Sequence, residues 1–132
     1  MKRILALIVL CFTLSSAVQA QIQWYQTSEV AIKYKRNGYW GNWSDWERCV
    51  CNVKFDLNND VITIYSKKTQ VYKVLYTMEP LPDDSGTQVR FKVRDQDSDL
   101  GELRLRIEYN GNSQIYIDFA DVSWVYNVKR IS

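Results

Sequence analysis

After residue 21 the chain alternates apolar and polar residues with a period of two, which predicts strands with one buried face. The first run, Trp24 to Arg36, carries Trp24, Val30, Ile32 and Tyr34 at even positions. Asn37-Gly38 then marks a hairpin turn. From Cys49 to Leu57 the residues Cys49, Cys51, Val53, Phe55 and Leu57 share a face, and Asn58-Asn59-Asp60 turns the chain. Val61 to Ser66 and Gln70 to Met78 are two more strands, separated by Lys67-Lys68-Thr69. Glu79 to Thr87 holds both prolines and reads as the longest loop. Three clean alternations follow: Val89, Phe91 and Val93; Leu103, Leu105, Ile107 and Tyr109; Ile115, Ile117 and Phe119. Asp95 to Gly101 and Asn110-Gly111-Asn112 are the turns between them. The last run, Val122 to Ile131, sets Val122, Trp124, Tyr126 and Val128 on one side. About eight closely spaced strands with no amphipathic helix predict an all-β domain. Its form is an antiparallel meander, closed as a small barrel or folded as a sandwich.

The N-terminus has a different pattern. Lys2-Arg3 precede an apolar run from Ile4 to Leu14, and Ser15 to Ala20 offers small residues at the positions a signal peptidase reads. That order predicts a signal peptide over residues 1–20 and a single domain over residues 21–132. The apolar run is too short to span a bilayer, which takes roughly 20 residues. Cys11 lies mid-run behind Leu10, which disfavours a lipoprotein signal. The expected location is the periplasm or the cell exterior, and no membrane span is expected.

Charge and composition then narrow the function classes. Lys2 and Arg3 leave with the signal, so the 17 basic residues drop to fifteen, equal to the 15 acidic ones. A nucleic-acid partner would call for a positive excess. Histidine is absent, which removes the commonest general base and metal ligand. A hydrolase built on two carboxylates stays open, but no flanking signature singles out a pair. No cofactor motif is present.

Four groups of residues could carry chemistry. Tyr39, Trp40, Trp43 and Trp46 follow the Asn37-Gly38 turn. Their three-residue spacing cannot send every ring to one core face, so at least one indole should be partly exposed for a sugar or a protein. Pairing Val93 with Leu103 and Phe91 with Leu105 would set Lys92 beside Arg104 and Arg90 beside Arg106. Pairing Ile107 with Ile115 would add Asp118 near Arg104 and Tyr116 near Arg106. The result is a basic patch of Arg90, Lys92, Arg104 and Arg106 beside Tyr116, able to attract an anionic sugar, phosphate or acidic partner. Asp95, Asp97 and Asp99 alternate in a turn and could point carboxylates at calcium. Cys49 and Cys51 are two buried thiols, a strained bridge, or an intermolecular or metal pair. A disulfide between residues two apart on a regular strand would require a break in that strand, and two ligands alone make a poor zinc site.

Short resemblances accompany these groups. Asp95-Gln96-Asp97-Ser98-Asp99 resembles the start of an EF-hand loop. It departs where Leu100 replaces the turn glycine and Arg106 stands in place of the closing acid. Trp40, Trp43 and Trp46 resemble, over about ten residues, the tryptophan ladder of thrombospondin type 1 repeats, whose several disulfides this chain cannot form. Gly38-Tyr39-Trp40 is similar to the Gly-x-Trp of lipocalin-type barrels, which implies a lipocalin-like barrel for a chain short for that family. Trp24-Tyr25, Val53-Lys54-Phe55-Asp56 and Ile64-Tyr65-Ser66 together resemble small secreted β-proteins of Gram-negative bacteria. That likeness implies an exported protein and carries no site residues. The expected function is a secreted or periplasmic, non-enzymatic binding module for a carbohydrate, envelope component or protein. Alternatives are a small barrel carrying an apolar ligand and a secreted enzyme inhibitor that presents Glu79–Thr87.

Overall fold

The alternating runs become strands because each can bury its apolar face only against neighbours of the same pattern. The computed structural model describes residues 22–132; the expected signal peptide, its cleavage point and Cys11 lie outside the described residues. The strands are β1 (Ile22–Arg36), β2 (Tyr39–Trp40), β3 (Glu47–Arg48), β4 (Asn52–Asp56), β5 (Val61–Ile64), β6 (Gln70–Thr77), β7 (Leu81–Asp83), β8 (Gly86–Arg94), β9 (Leu100–Glu108), β10 (Ser113–Asp118) and β11 (Val122–Arg130). Strands β1, β4, β5, β6, β8, β9, β10 and β11 pair antiparallel in chain order, and β11 pairs back onto β1. The meander is therefore a closed eight-stranded barrel. Closure removes the open edges that a sandwich would have to protect. Strands β2 and β3 lie along β1, and β7 lies on β8.

Side chains fill the inside. Val53, Phe55, Ile62, Ile64, Phe91, Val93, Leu103, Ile115 and Ile117 are fully buried. Phe55 is the hub, with Tyr25 at 5.4 Å and Phe91 at 6.0 Å between ring centroids. An eight-stranded barrel is just wide enough for such side chains, and each contributes about 1.5–3 kcal/mol by leaving water. Lys54 and Arg104 alternate with buried neighbours and face outward, as does Asp118 beside the buried Ile117. This polarity is the inverse of a transmembrane barrel, whose outward band is apolar. No helix of the described residues is long and apolar enough to cross a membrane.

One end of the barrel is plugged by rings. Phe119 stacks on Trp124 at 5.9 Å and lies 6.4 Å from Tyr72. Position 101 must be glycine there, because a Cβ would sit 2.7 Å from the Phe119 ring. Tyr72 donates to Gln70 Oε1 (2.6 Å), and Gln70 Nε2 donates to the Tyr126 hydroxyl (3.0 Å).

Several expectations need correction. Strand β1 does not keep one phase. A bulge between Thr27 and Glu29 shifts the register against β11. Tyr25 and Thr27 therefore face inward before it, Val30 and Ile32 after it, and Trp24 faces out. Residues 79–87 are not an open loop: β7 pairs with the start of β8, and the Asp83 carboxylate caps the turn by accepting from the Ser85 and Gly86 amides. Strand β9 starts earlier than expected, with Leu100 opposite Arg94, so Phe91 meets Leu103 and Val93 meets Gly101. Ile107 and Tyr109 lie at the exposed end of β9 and outside the core.

Burial gives the fold a pH dependence. It raises the phenol pKa values of Tyr25, Tyr72 and Tyr126. The folded state holds these protons more tightly than the unfolded chain. Their contribution is thus complete below the ordinary tyrosine value of about 10 and is lost as pH rises above it. An alkaline titration followed by phenolate absorbance and circular dichroism should show two phases, the later one coinciding with unfolding. Ionisation of every tyrosine near pH 10 with the fold intact would contradict this.

Candidate functional site

The aromatic segment is an arm laid back along β1. Asn37 (φ 52°) and Gly38 (φ 82°) both occupy the left-handed region, as a two-residue hairpin turn demands. The turn pairs Lys35 with Trp40 and Arg36 with Tyr39. Beyond it the arm leaves regular strand geometry but stays anchored. The Gly41 amide donates to Tyr34 O, the Ser44 amide to Ile32 O, and the Ile32 amide to Ser44 Oγ, all at 2.8–2.9 Å. Strand β3 then pairs Glu47 with Val30 and Arg48 with Glu29.

This course places Trp43 and Trp46 against the outside of the barrel. Ala31 and Val125 point away from the core yet are buried. With the two indoles, Gln114 and Tyr116 they line a shallow groove of about 230 Å³. The rings keep much of their surface in solvent: Trp40 is 42% exposed, Trp43 38%, Trp46 43% and Tyr39 80%.

Cations interleave with the rings. Lys33 Nζ lies 5.1 Å from the Trp40 ring and 4.6 Å from the Trp43 ring, and Lys35 Nζ lies 6.0 Å from Trp40. Trp43 meets Tyr116 edge-on at 6.3 Å, and the Arg104 guanidinium sits 4.2 Å above Tyr116. These separations are within the range of aromatic and cation–π attraction. Trp40, Lys33, Trp43, Tyr116 and Arg104 thus form one ladder across the outer wall. Tyr116 is held by donating to Gln114 Oε1 at 2.9 Å. Gln114 in turn donates to Asn127 Oδ1, and Asn127 to Glu29.

The basic patch is differently paired from the expected one. Arg90 faces Arg104, Lys92 faces Glu102, and Arg106 faces Gln88. On the β10 side Tyr116 lies opposite Arg104, with Gln114 opposite Arg106. Two of the four cations are committed to carboxylates. Arg104 Nε donates to Asp118 at 2.8 Å and lies 3.9 Å from Glu102. Arg106 pairs with Glu108 at 3.1 Å and Asp83 at 3.4 Å. Asp83 sits below the usual carboxylate range, chiefly because the backbone and hydroxyl of Ser85 donate to it. Arg90 donates to Glu79 O. Arg90 and Lys92 have no carboxylate within 4 Å among the described residues, and neither do Lys33 and Lys35 beside the rings. Lys33 and Lys35 went unnoticed in the sequence, although the hairpin turn by itself sets Lys35 opposite Trp40.

The other two candidates separate from this surface. Asp95 Oδ1 accepts the amides of Asp97 and Asp99, each at 2.9 Å. One carboxylate is thus spent on capping its own turn, and no three metal-ligating side chains gather among the described residues. Cys49 and Cys51 are free, half-buried thiols packed on the core edge. The strand does break between β3 and β4 at this point, and Thr27 Oγ1 fills the gap by donating to Cys49 O and accepting from the Cys51 amide. Burial raises the Cys51 thiol pKa.

Asp118 holds Arg104 and also accepts from the buried Ser123 hydroxyl at 2.6 Å. Replacing it by alanine leaves that donor without an acceptor and frees Arg104 from its nearest carboxylate. Asp118→Ala should lower the unfolding free energy by about 1–3 kcal/mol, as read from urea denaturation. A variant as stable as the parent would show that this pair contributes nothing.

No known protein-family model matches the chain, and no curated protein matches it.

Proposed function

We propose that this chain is an exported, non-enzymatic binding module that takes a carbohydrate on its outer wall. The observation that carries the reading is the ladder from Trp40 to Arg104. It sets several partly exposed rings in one surface and fixes their orientation by cations and hydrogen bonds. Flat aromatic faces suit the apolar faces of sugar rings, while Gln114 and Ser44 offer amide and hydroxyl groups at the same groove. Fixing the rings in advance reduces the ordering cost of binding.

The outer wall is favoured over the interior because side chains occupy the space an apolar ligand would need. Clefts of about 450, 410 and 360 Å³ all include Trp124 in their lining, one of the rings that plug this end of the barrel. The Glu79–Thr87 segment is tied to β8 and β9 by β7 and Arg106, which gives little free loop to insert into an enzyme cleft. Absence of histidine and of any catalytic motif supports the non-enzymatic reading.

A glycan microarray probed with the exported chain tests this. Trp40→Ala and Trp43→Ala should each weaken the strongest signal by about tenfold, in line with roughly 1–2 kcal/mol for an aromatic anchor. Unchanged signals in both variants would remove the arm from the binding surface.

A further inference from the structure

We propose that the carbohydrate is an acidic polysaccharide whose carboxylates are read by Lys33 and Lys35. This rests on the carbohydrate reading of the same wall. The cations on that wall fall into two groups. Arg104 and Arg106 each have two carboxylates within 4 Å, so their charge is already answered inside the protein. Lys33 and Lys35 have none among the described residues, and both stand at the exposed arm. Arg90 and Lys92 also lack a carboxylate partner among the described residues, and it is at Lys33 and Lys35 that uncompensated charge meets the indoles.

The two lysines are placed to recognise a repeating charge. They occupy alternate positions of β1, beyond the bulge, on the outward face. Their backbone origins are roughly 6.5–7 Å apart along the strand. Each ammonium rests near an indole face within cation–π range, so it is held where a sugar stacked on the arm would present its substituents. An acidic peptide would satisfy the ammonium groups but leave the exposed indoles without flat apolar faces to cover. A neutral glycan would cover the indoles and leave the charge unanswered. A glycan with carboxylates along its length answers both.

Affinity electrophoresis in gels containing polygalacturonate, alginate, or polygalacturonate after carboxyl reduction tests this. Polyglutamate serves as a charge-only control. The parent chain should be retarded at least tenfold more strongly by an acidic polysaccharide than by the reduced polymer or polyglutamate, and salt should weaken the effect. The double variant Lys33→Gln/Lys35→Gln should lose that preference, its retardation by the acidic polymers falling to no more than that by the reduced polymer. Lys33→Arg/Lys35→Arg should retain it, which separates charge from any disturbance of the arm. An unaltered preference in the glutamine variant, or equal retardation by polyglutamate, overturns the assignment. Retention by neutral glycans alone also overturns it but leaves the carbohydrate reading standing. No retention by any glycan removes both.

Discussion

The outer wall depends on one backbone irregularity, the bulge between Thr27 and Glu29 in β1. A strand alternates faces strictly, so one extra residue exchanges inside for outside from that point on. Before the bulge Tyr25 and Thr27 face the core. Beyond it Val30 and Ile32 take over, and Ala31, Lys33 and Lys35 turn outward. Without it the two lysines would point into a filled apolar barrel, which no ammonium tolerates unpaired. The bulge is also a joint. Thr27 Oγ1 lies 2.6 Å from Cys49 O and 2.9 Å from the Cys51 amide, holding the place where the arm returns to the barrel.

From that joint the rest of the surface follows. The long β1 is shared between two sets of partners. Strand β11 pairs with it from Tyr25 to Tyr34 along one edge, while on the other edge the first half pairs with β4 and the second half carries the arm. The arm covers Ala31 and Val125, which explains why two outward-facing apolar residues are buried. It also brings Trp43 beside Tyr116 of β10, and through it Arg104 of β9. Two surfaces that looked separate in the sequence are neighbours because barrel closure sets β1 beside β11 and β11 beside β10. An open sandwich would give no reason for that neighbourhood.

The sequence was legible wherever one short-range rule decided the outcome. The alternating runs, the Asn37-Gly38 turn and the core face of Val53, Phe55, Phe91, Ile115 and Ile117 all followed from period and turn chemistry. The pairing of β8 with β9 did not. A slip of two residues preserves every face, so alternation cannot tell Phe91 opposite Leu103 from Phe91 opposite Leu105. The deciding contact is the Asp95 carboxylate, which tightens the turn onto the Asp97 and Asp99 amides. The bulge was hidden for a related reason: Ser28-Glu29 is polar in either phase. The path of the arm was hidden too, because its anchors are backbone and Ser44 hydrogen bonds that leave no periodic trace.

The arm lies fixed on the barrel wall and joins the tryptophans to Tyr116 and Arg104. The direct measurement is a set of nuclear Overhauser contacts in the free protein. Contacts from the Trp43 indole to the Tyr116 ring and the Val125 methyls, with slowed exchange of the Ser44 and Ile32 amides, are the expected result. An arm without such contacts, with Ala31 and Val125 open to solvent, would contradict this placement.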